Sequence, residues 1–275
     1  MQATGTFYEA PAALSSAIQH FYHIKGVADE VAHLAPNFDM LLVFNFGAPM
    51  PFAFADEFPS NQVVVKTAVL GPLKKMFNYR LTAESDTLAV VFVLDGFYRL
   101  FQATPDETDA AKLAESEGLQ ELWQTLKDTP HTEDRVMLLG EYLQSMLRAP
   151  EEGAIPLVNG LPYFDNPLVQ PAKAIAQDTG VSERTVQTRF RKYTGYSAKE
   201  VLRFIRFKQV LHRIREQVAN GTRDIDWMDM VHDFGYHDQS HLIKDFRFYM
   251  GMAPEHFMKE IRENGFCVSR PGKYY

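Results

Sequence analysis

Ile175-Ala-Gln-Asp-Thr-Gly180-Val-Ser182, followed by Val186, Phe190, Gly195 and Ala198, returns later in the chain as Met230-Val-His-Asp-Phe-Gly235-Tyr-His-Asp238, followed by Leu242, Phe246, Gly251 and Pro254. Gly180 and Gly235 are 55 apart, while Phe190 and Phe246, Gly195 and Gly251, and Ala198 and Pro254 are each 56 apart. The second turn therefore holds one extra residue. Each copy offers a short apolar helix, a glycine where the turn needs positive φ, an N-capping Ser182 or Asp238, and a second helix, which together make a helix-turn-helix.

Four and eight residues after each cap stand Val186 and Phe190, or Leu242 and Phe246, which places both apolar residues of each second helix on one inward stripe. The opposite face is left for a partner. Two such units within about 90 residues, joined by one long helix, resemble the DNA-binding domain of the AraC/XylS family of transcription regulators. The resemblance runs roughly from Asn166 to Glu263, and Gly235-Tyr236 and Gly251-Met-Ala-Pro254 are its most specific segments. The chain departs from the family pattern at Val231, where a small residue is usual, and at Ala198, where proline often stands.

The connecting helix is predicted over about Val201 to Val218, with Val201, Leu202, Ile205, Leu211 and Ile214 as its apolar face and Arg203, Arg206, Lys208, Arg213 and Arg215 as its charge. About 18 residues rise on the order of 27 Å, enough to set two units roughly one DNA turn apart, so that one chain addresses a site of about 20 base pairs. The resemblance makes Arg184, Gln187 and Thr188 base-facing in the first unit, and Gln239, Ser240, His241 and Lys244 in the second. Arg and Gln carry the paired groups that match guanine and adenine edges. Thr185, Arg191 and Arg247 are expected at the DNA backbone, where contacts orient without specifying sequence. Asp224, Asp226, Asp229 and Asp233 lower the positive potential around the second unit.

Charge divides the same way. The chain carries a net −7, yet residues 166–275 hold 18 Lys and Arg against 13 Asp and Glu, whereas residues 1–165 hold 10 against 22. An acidic regulatory half joined to a nucleic-acid-binding half would show this asymmetry. At 275 residues, 46% hydrophobic and 23% charged, the chain has material for two cores and no mark of disorder. The first residues lack a secretory pattern, no apolar run approaches the 18 or so residues of a membrane span, and Cys267 stands alone, so the expectation is a reducing cytoplasm and no membrane partner.

Before the repeated pattern, short β-branched and aromatic runs at 38–46, 62–70, 76–81 and 87–94, punctuated by Gly47-Ala-Pro49, Gly71-Pro72, Glu84-Ser-Asp86 and Asp95-Gly96, predict a small β-barrel or sandwich. Pro11 to His20 is predicted as a short helix. The resemblance implies a cupin-like β-barrel here, sensing a small-molecule effector or forming a homodimer. His20, His23 and His33 lack the clustered arrangement of a metal-binding cupin, so no metal and no cofactor are expected.

Asp109 to Lys127 and Thr132 to Leu147 read as amphipathic helices, the second with Val136, Leu139, Leu143 and Met146 or Leu147 as its stripe and Arg135 on its polar side. Such a stripe serves a dimer contact or packs on the chain's own barrel. The predicted class is α+β: a 1–107 β-rich sensor, a 108–149 helical segment available for dimerisation, a 150–165 linker lying against one domain, a 166–265 all-α tandem helix-turn-helix domain, and a 266–275 tail. The leading function is a sequence-specific DNA-binding transcription regulator, with RNA polymerase as a partner that the resemblance implies. Two alternatives are an N-terminal half that is purely an interaction platform, and a cupin-type enzyme with a DNA-binding appendage. No catalytic signature supports the second, so no enzyme is expected.

Overall fold

A computed structural model describes residues 5–26, 29–55, 61–106, 108–160, 163, 169–222, 224–263 and 268–269. In chain order the strands of the N-terminal half are β1 (Gly5–Glu9), β2 (Ile18–Lys25), β3 (Glu30–Leu34), β4 (Leu41–Asn45), β5 (Met50–Phe54), β6 (Gln62–Val64), β7 (Thr67–Leu70), β8 (Phe77–Leu81) and β9 (Asp86–Phe92). One sheet has the order β1-β2-β9-β4-β7, and the other β3-β8-β5-β6, all antiparallel. A short β10 (Val268–Ser269), after the second helix-turn-helix, adds to the second sheet parallel to β3. The two sheets share no ladder among the described residues, so the architecture is a pair of facing open sheets rather than the closed cupin-like barrel expected.

β4 explains why the sequence shows runs rather than alternation. Leu41 and Val43 point to the second sheet, while Leu42 and Phe44 point to a helical layer, and all five residues of the strand are buried. A strand covered on both faces reads as a continuous apolar stretch. That layer is α2 (Ala110–Ala114), α3 (Glu117–Asp128) and α4 (Thr132–Met146), following α1 (Gly96–Phe101). Leu119, Leu122, Trp123, Leu126, Leu139 and Leu143 pack on the first sheet, so the predicted stripe covers the chain's own sheet.

Several expectations are corrected. Residues 12–17 form turns leading into β2 rather than a helix, and His20 lies in that strand. The 62–70 run is two strands in different sheets; Asn45, fully buried, holds the crossing by donating to the carbonyls of Val64 and Val65 at 3.2 and 3.3 Å. The predicted 109–127 helix breaks at Glu115 and Ser116. Arg135 is buried, its guanidinium 3.0 Å from Asp86, which His23 also meets at 2.8 Å. Asp95-Gly96 starts α1.

In the linker, α5 (Ile155–Asn159) buries Leu157, with Ala154, in the C-terminal core. Leu161 and Phe164 lie outside the described residues. The C-terminal half follows with α6 (Pro171–Thr179), α7 (Glu183–Thr194), α8 (Ala198–Ala219), α9 (Trp227–Asp233), α10 (Gln239–Met250) and α11 (Pro254–Glu263). No helix among the described residues is long and apolar enough to cross a membrane.

The two halves share a core. Phe38, with φ of 63°, sits between the rings of Tyr196 and Phe204, at 4.9 and 4.6 Å between centroids. The Met76 amide donates to the Tyr249 carbonyl at 2.7 Å, and Lys74 lies 3.2 Å from Glu200.

Candidate nucleic-acid interface

Both turns form as the glycine and cap positions require. Gly180 and Gly235 adopt φ of 68° and 64°, conformations that cost a side-chain-bearing residue, and neither has a neighbour that a Cβ would strike. The Ser182 hydroxyl accepts from the Thr185 amide at 3.1 Å, and Asp238 accepts from the His241 amide at 2.9 Å. These bonds satisfy orphan amides and fix where each recognition helix begins. Left-handed Gly195 and Gly251 end both helices. Val186, Phe190, Leu242 and Phe246 are almost completely buried.

That anchoring turns the opposite faces outward. In α7, Arg184, Gln187, Thr188 and Arg191 are exposed; in α10, Gln239, Ser240, His241, Lys244 and Arg247 are exposed. Thr185 is half-buried, and its hydroxyl is 2.9 Å from that of Ser182, so it belongs to the cap as much as to the outer face. The Thr188 hydroxyl donates back to the Arg184 carbonyl at 3.0 Å, which leaves its methyl and a lone pair for a partner. Thus each unit presents a polar strip on a helix whose other side is locked into the core.

The connecting helix α8 is longer than its sequence boundaries suggest. Ser197 and Glu200 close a capping box, and its 22 residues correspond to about 33 Å, close to one DNA turn. Its buried face is Ala198, Phe204, Phe207, Val210 and Ile214, which shares only Ile214 with the predicted face: Leu202 is exposed, and Val201, Ile205 and Leu211 only border the core. Phe207 stacks on Tyr249 and Phe204 meets the same ring at a tilt, with centroids 4.7 and 5.5 Å away, tying α8 to the end of the second recognition helix.

Sequence reasoning also missed two polar clusters that hold these helices. Asp245, on the inner side of α10, is buried and meets Arg203 at 2.7 Å and the Tyr236 hydroxyl at 2.9 Å. Arg206 covers the Tyr236 ring at 4.2 Å and reaches the Gly235 carbonyl. Two arginines read from the sequence only as charge on the connecting helix thus position the second unit from within. In the first unit, Glu151 accepts from Lys192 at 2.6 Å, Tyr193 at 2.7 Å and Tyr98 at 2.8 Å, joining the linker, α7 and α1 at one carboxylate. The Lys192 ammonium, followed by the two phenols, holds its pKa down at about 2. An Asp ten residues after Gly235, facing the stripe opposite Gln239, was the only signal of the first cluster; the second pairs residues 41 and more apart and had none.

The family model of a helix-turn-helix domain matches residues 175–260, the span of both units. Comparison with the curated proteins gives no match. Among solved structures the chain is similar to apo ToxT from Vibrio cholerae strain SCE256, at 10% identity over 91% of this chain and 98% of that one, with a TM-score of 0.38. It is similar to ToxT from Vibrio cholerae O395 bound to (E)-4-(8-methylnaphthalen-1-yl)but-3-enoic acid, at 9% identity over 93% and 98%, with a TM-score of 0.39. A third is the AraC-like transcriptional activator CuxR, at 10% identity over 76% and 81%, with a TM-score of 0.31. The doubled turn geometry and the family match over the same residues make 175–260 a tandem helix-turn-helix domain of the DNA-binding kind.

Proposed function

We propose that α7 and α10 read two successive major-groove segments of one operator, and that the facing sheets of the N-terminal half hold a small, mostly apolar effector. For the DNA arm, the residues proposed to meet bases are Arg184, Gln187, Thr188, Gln239, Ser240, His241 and Lys244, with Thr185, Arg191 and Arg247 at phosphates. What supports it is that, apart from Thr185, all of them stand exposed on strips opposite the buried stripes.

For the effector arm, the supporting observation is a cavity of about 50 Å³ between the sheets, with Ile24, Leu41, Val43, Phe77 and Val91 in its wall. His20 and Asn37 also line it, and the His20 Nε2 and Asn37 Nδ2 atoms are buried without a hydrogen-bond partner among the described residues. Leaving such groups unpaired costs about 1–3 kcal/mol each, which a ligand with one polar end would recover. Burial lowers the His20 pKa, so a neutral imidazole faces the ligand. The interaction-platform alternative has less support, because the stripe that would form a dimer covers the first sheet.

Selection from random duplexes at two salt concentrations tests the DNA arm. The expected result is an enriched site of about 20 base pairs, a steep loss of affinity with salt, and relaxation of a different half by Gln187→Ala and Gln239→Ala. Both substitutions relaxing the same half would refute the assignment of one helix to each half. For the effector arm, small-molecule libraries are screened for thermal stabilisation, with His20→Phe, which fills and depolarises the cavity, expected to abolish any response.

A further inference from the structure

We propose that His237, Asp238 and His241 form a binding site for a divalent transition-metal ion of the zinc class, at the start of the second recognition helix. Each residue offers one ligand atom, and the three atoms lie within 4.8 Å of one another. The Nδ1 atoms of His237 and His241 each stand 3.0 Å from a different carboxylate oxygen of Asp238. Ligand atoms around a tetrahedral zinc ion with bonds near 2.0–2.1 Å sit roughly 3.4 Å apart, so capture requires only small side-chain rotations.

The cap alone does not account for this arrangement. Capping α10 needs one Asp238 oxygen on the His241 amide, and that bond is present. It does not need two imidazoles meeting the two oxygens of the same carboxylate, one from the turn and one from the first turn of the helix. Neither imidazole is held there by packing: the side chains of His237 and His241 are 86% and 54% exposed, and their ring centroids are 5.5 Å apart. Two imidazoles and a carboxylate select zinc-like ions over calcium or magnesium, which prefer all-oxygen sites. Three protein ligands leave a fourth position open, as in sites that admit water or an outside oxygen. The expectation of no metal considered only the N-terminal histidines, which are spread across a cavity wall, a bond to Asp86 and a bond to Asn78.

The consequence for DNA rests on the operator reading proposed above. Asp224, Asp226, Asp229 and Asp233 make the second unit acidic, and all four are exposed. An ion at the α10 N-terminus adds two positive charges beside Gln239 and Ser240, and its open position suits a phosphate oxygen. Metal occupancy therefore strengthens the hold of the second unit on DNA.

The test uses the full chain and zinc in competition with a chelating dye, so it does not depend on finding an operator. One site is expected that is lost in His237→Ala/His241→Ala, while Asp238 is kept so that the cap survives. Loss of even an outer partner of a metal site typically weakens it about 10–100-fold, so His237→Ala alone is expected to weaken uptake at least about tenfold. Uptake of the same stoichiometry and affinity in the double variant would overturn the proposal, since other groups would then hold the ion. On a selected duplex, at a zinc concentration that fills the parent site but not the weakened one, zinc is expected to tighten the parent chain several-fold over chelator and to leave His237→Ala unchanged. Zinc bound at the site without an effect on DNA overturns the coupling but not the site, and failure to select any duplex bears on the operator reading alone.

Discussion

Asp245 is the residue on which the orientation of the second recognition helix is expected to depend most. It is 3% exposed, and it takes the Tyr236 hydroxyl at 2.9 Å and Arg203 at 2.7 Å. Asp245→Ala strands the phenol of a buried tyrosine, at about 1–3 kcal/mol. Arg203 is 42% exposed on its side chain, so water takes up much of its charge and its share is about 1 kcal/mol or less. The expected total is about 1–4 kcal/mol, and Asp245→Asn, which keeps an acceptor for Tyr236, is expected to cost about 1–2. Because the two halves share a core, a single unfolding midpoint would blur the effect; hydrogen exchange of the α9 and α10 amides in the full chain isolates it. Protection there should fall in the order parent, Asn, Ala, with α6 and α7 little changed. If Ala and Asn cost the same, or either costs less than about 0.5 kcal/mol, the phenol is not the main debtor and the reasoning fails.

Phe246→Ala, which empties a fully buried site beside Phe207, Trp227 and Phe257, is expected to cost about 3–5 kcal/mol in urea denaturation. Gly180→Ala meets no atom and so should cost only its left-handed backbone, about 1–2 kcal/mol, measurable as a small shift in the same curve. Glu151 has its pKa lowered from 4.5 to about 2, so its contribution is complete above pH 4.5 and is lost as pH falls towards 2; Glu151→Gln should remove that dependence from the hydrogen exchange of α7. Asp39 behaves in the opposite sense: burial raises its pKa from 3.8 to about 7 against the pull of Lys208, so the folded chain holds a proton that the unfolded chain releases, and stability falls as pH rises between those values. Asp39→Asn is therefore expected to gain stability over the parent above pH 7 and not below pH 3.8, by urea midpoints at the two ends.

What was legible in the sequence follows from how local each determinant is. The caps Ser182 and Asp238, the turn glycines and the inward pairs four and eight residues on all act within one helical turn or two, and each stands where the spacing puts it. The α8 face was misread because Phe204 and Phe207 face a partner helix forty residues away, whereas the predicted set treated the helix as if it met only its neighbours. Strand order was hidden for a like reason. Gln62 to Leu70 has one composition but two sheets, and the switch lies in Asn45, whose amide collects the carbonyls at the crossing.

The least legible contacts are those that would carry a signal between the halves. An effector between the sheets would touch β9, whose end leads through α1 to Tyr98, and the Tyr98 hydroxyl meets the same carboxylate as Lys192 and Tyr193 at the end of α7. A second route runs from the 37–40 segment, where Asn37 lines the cavity and Phe38 fills the gap between Tyr196 and Phe204 at the start of α8. Both routes end on the first helix-turn-helix and its connecting helix. A ligand that moved either would act first on the α7 half-site, and the α10 half would follow through α8. Glu151→Gln and Phe38→Ala separate the two routes: the one that abolishes an effector's influence on DNA affinity, while leaving effector binding intact, carries the coupling. If neither does so, the coupling runs elsewhere, and the shared core between the halves serves stability alone.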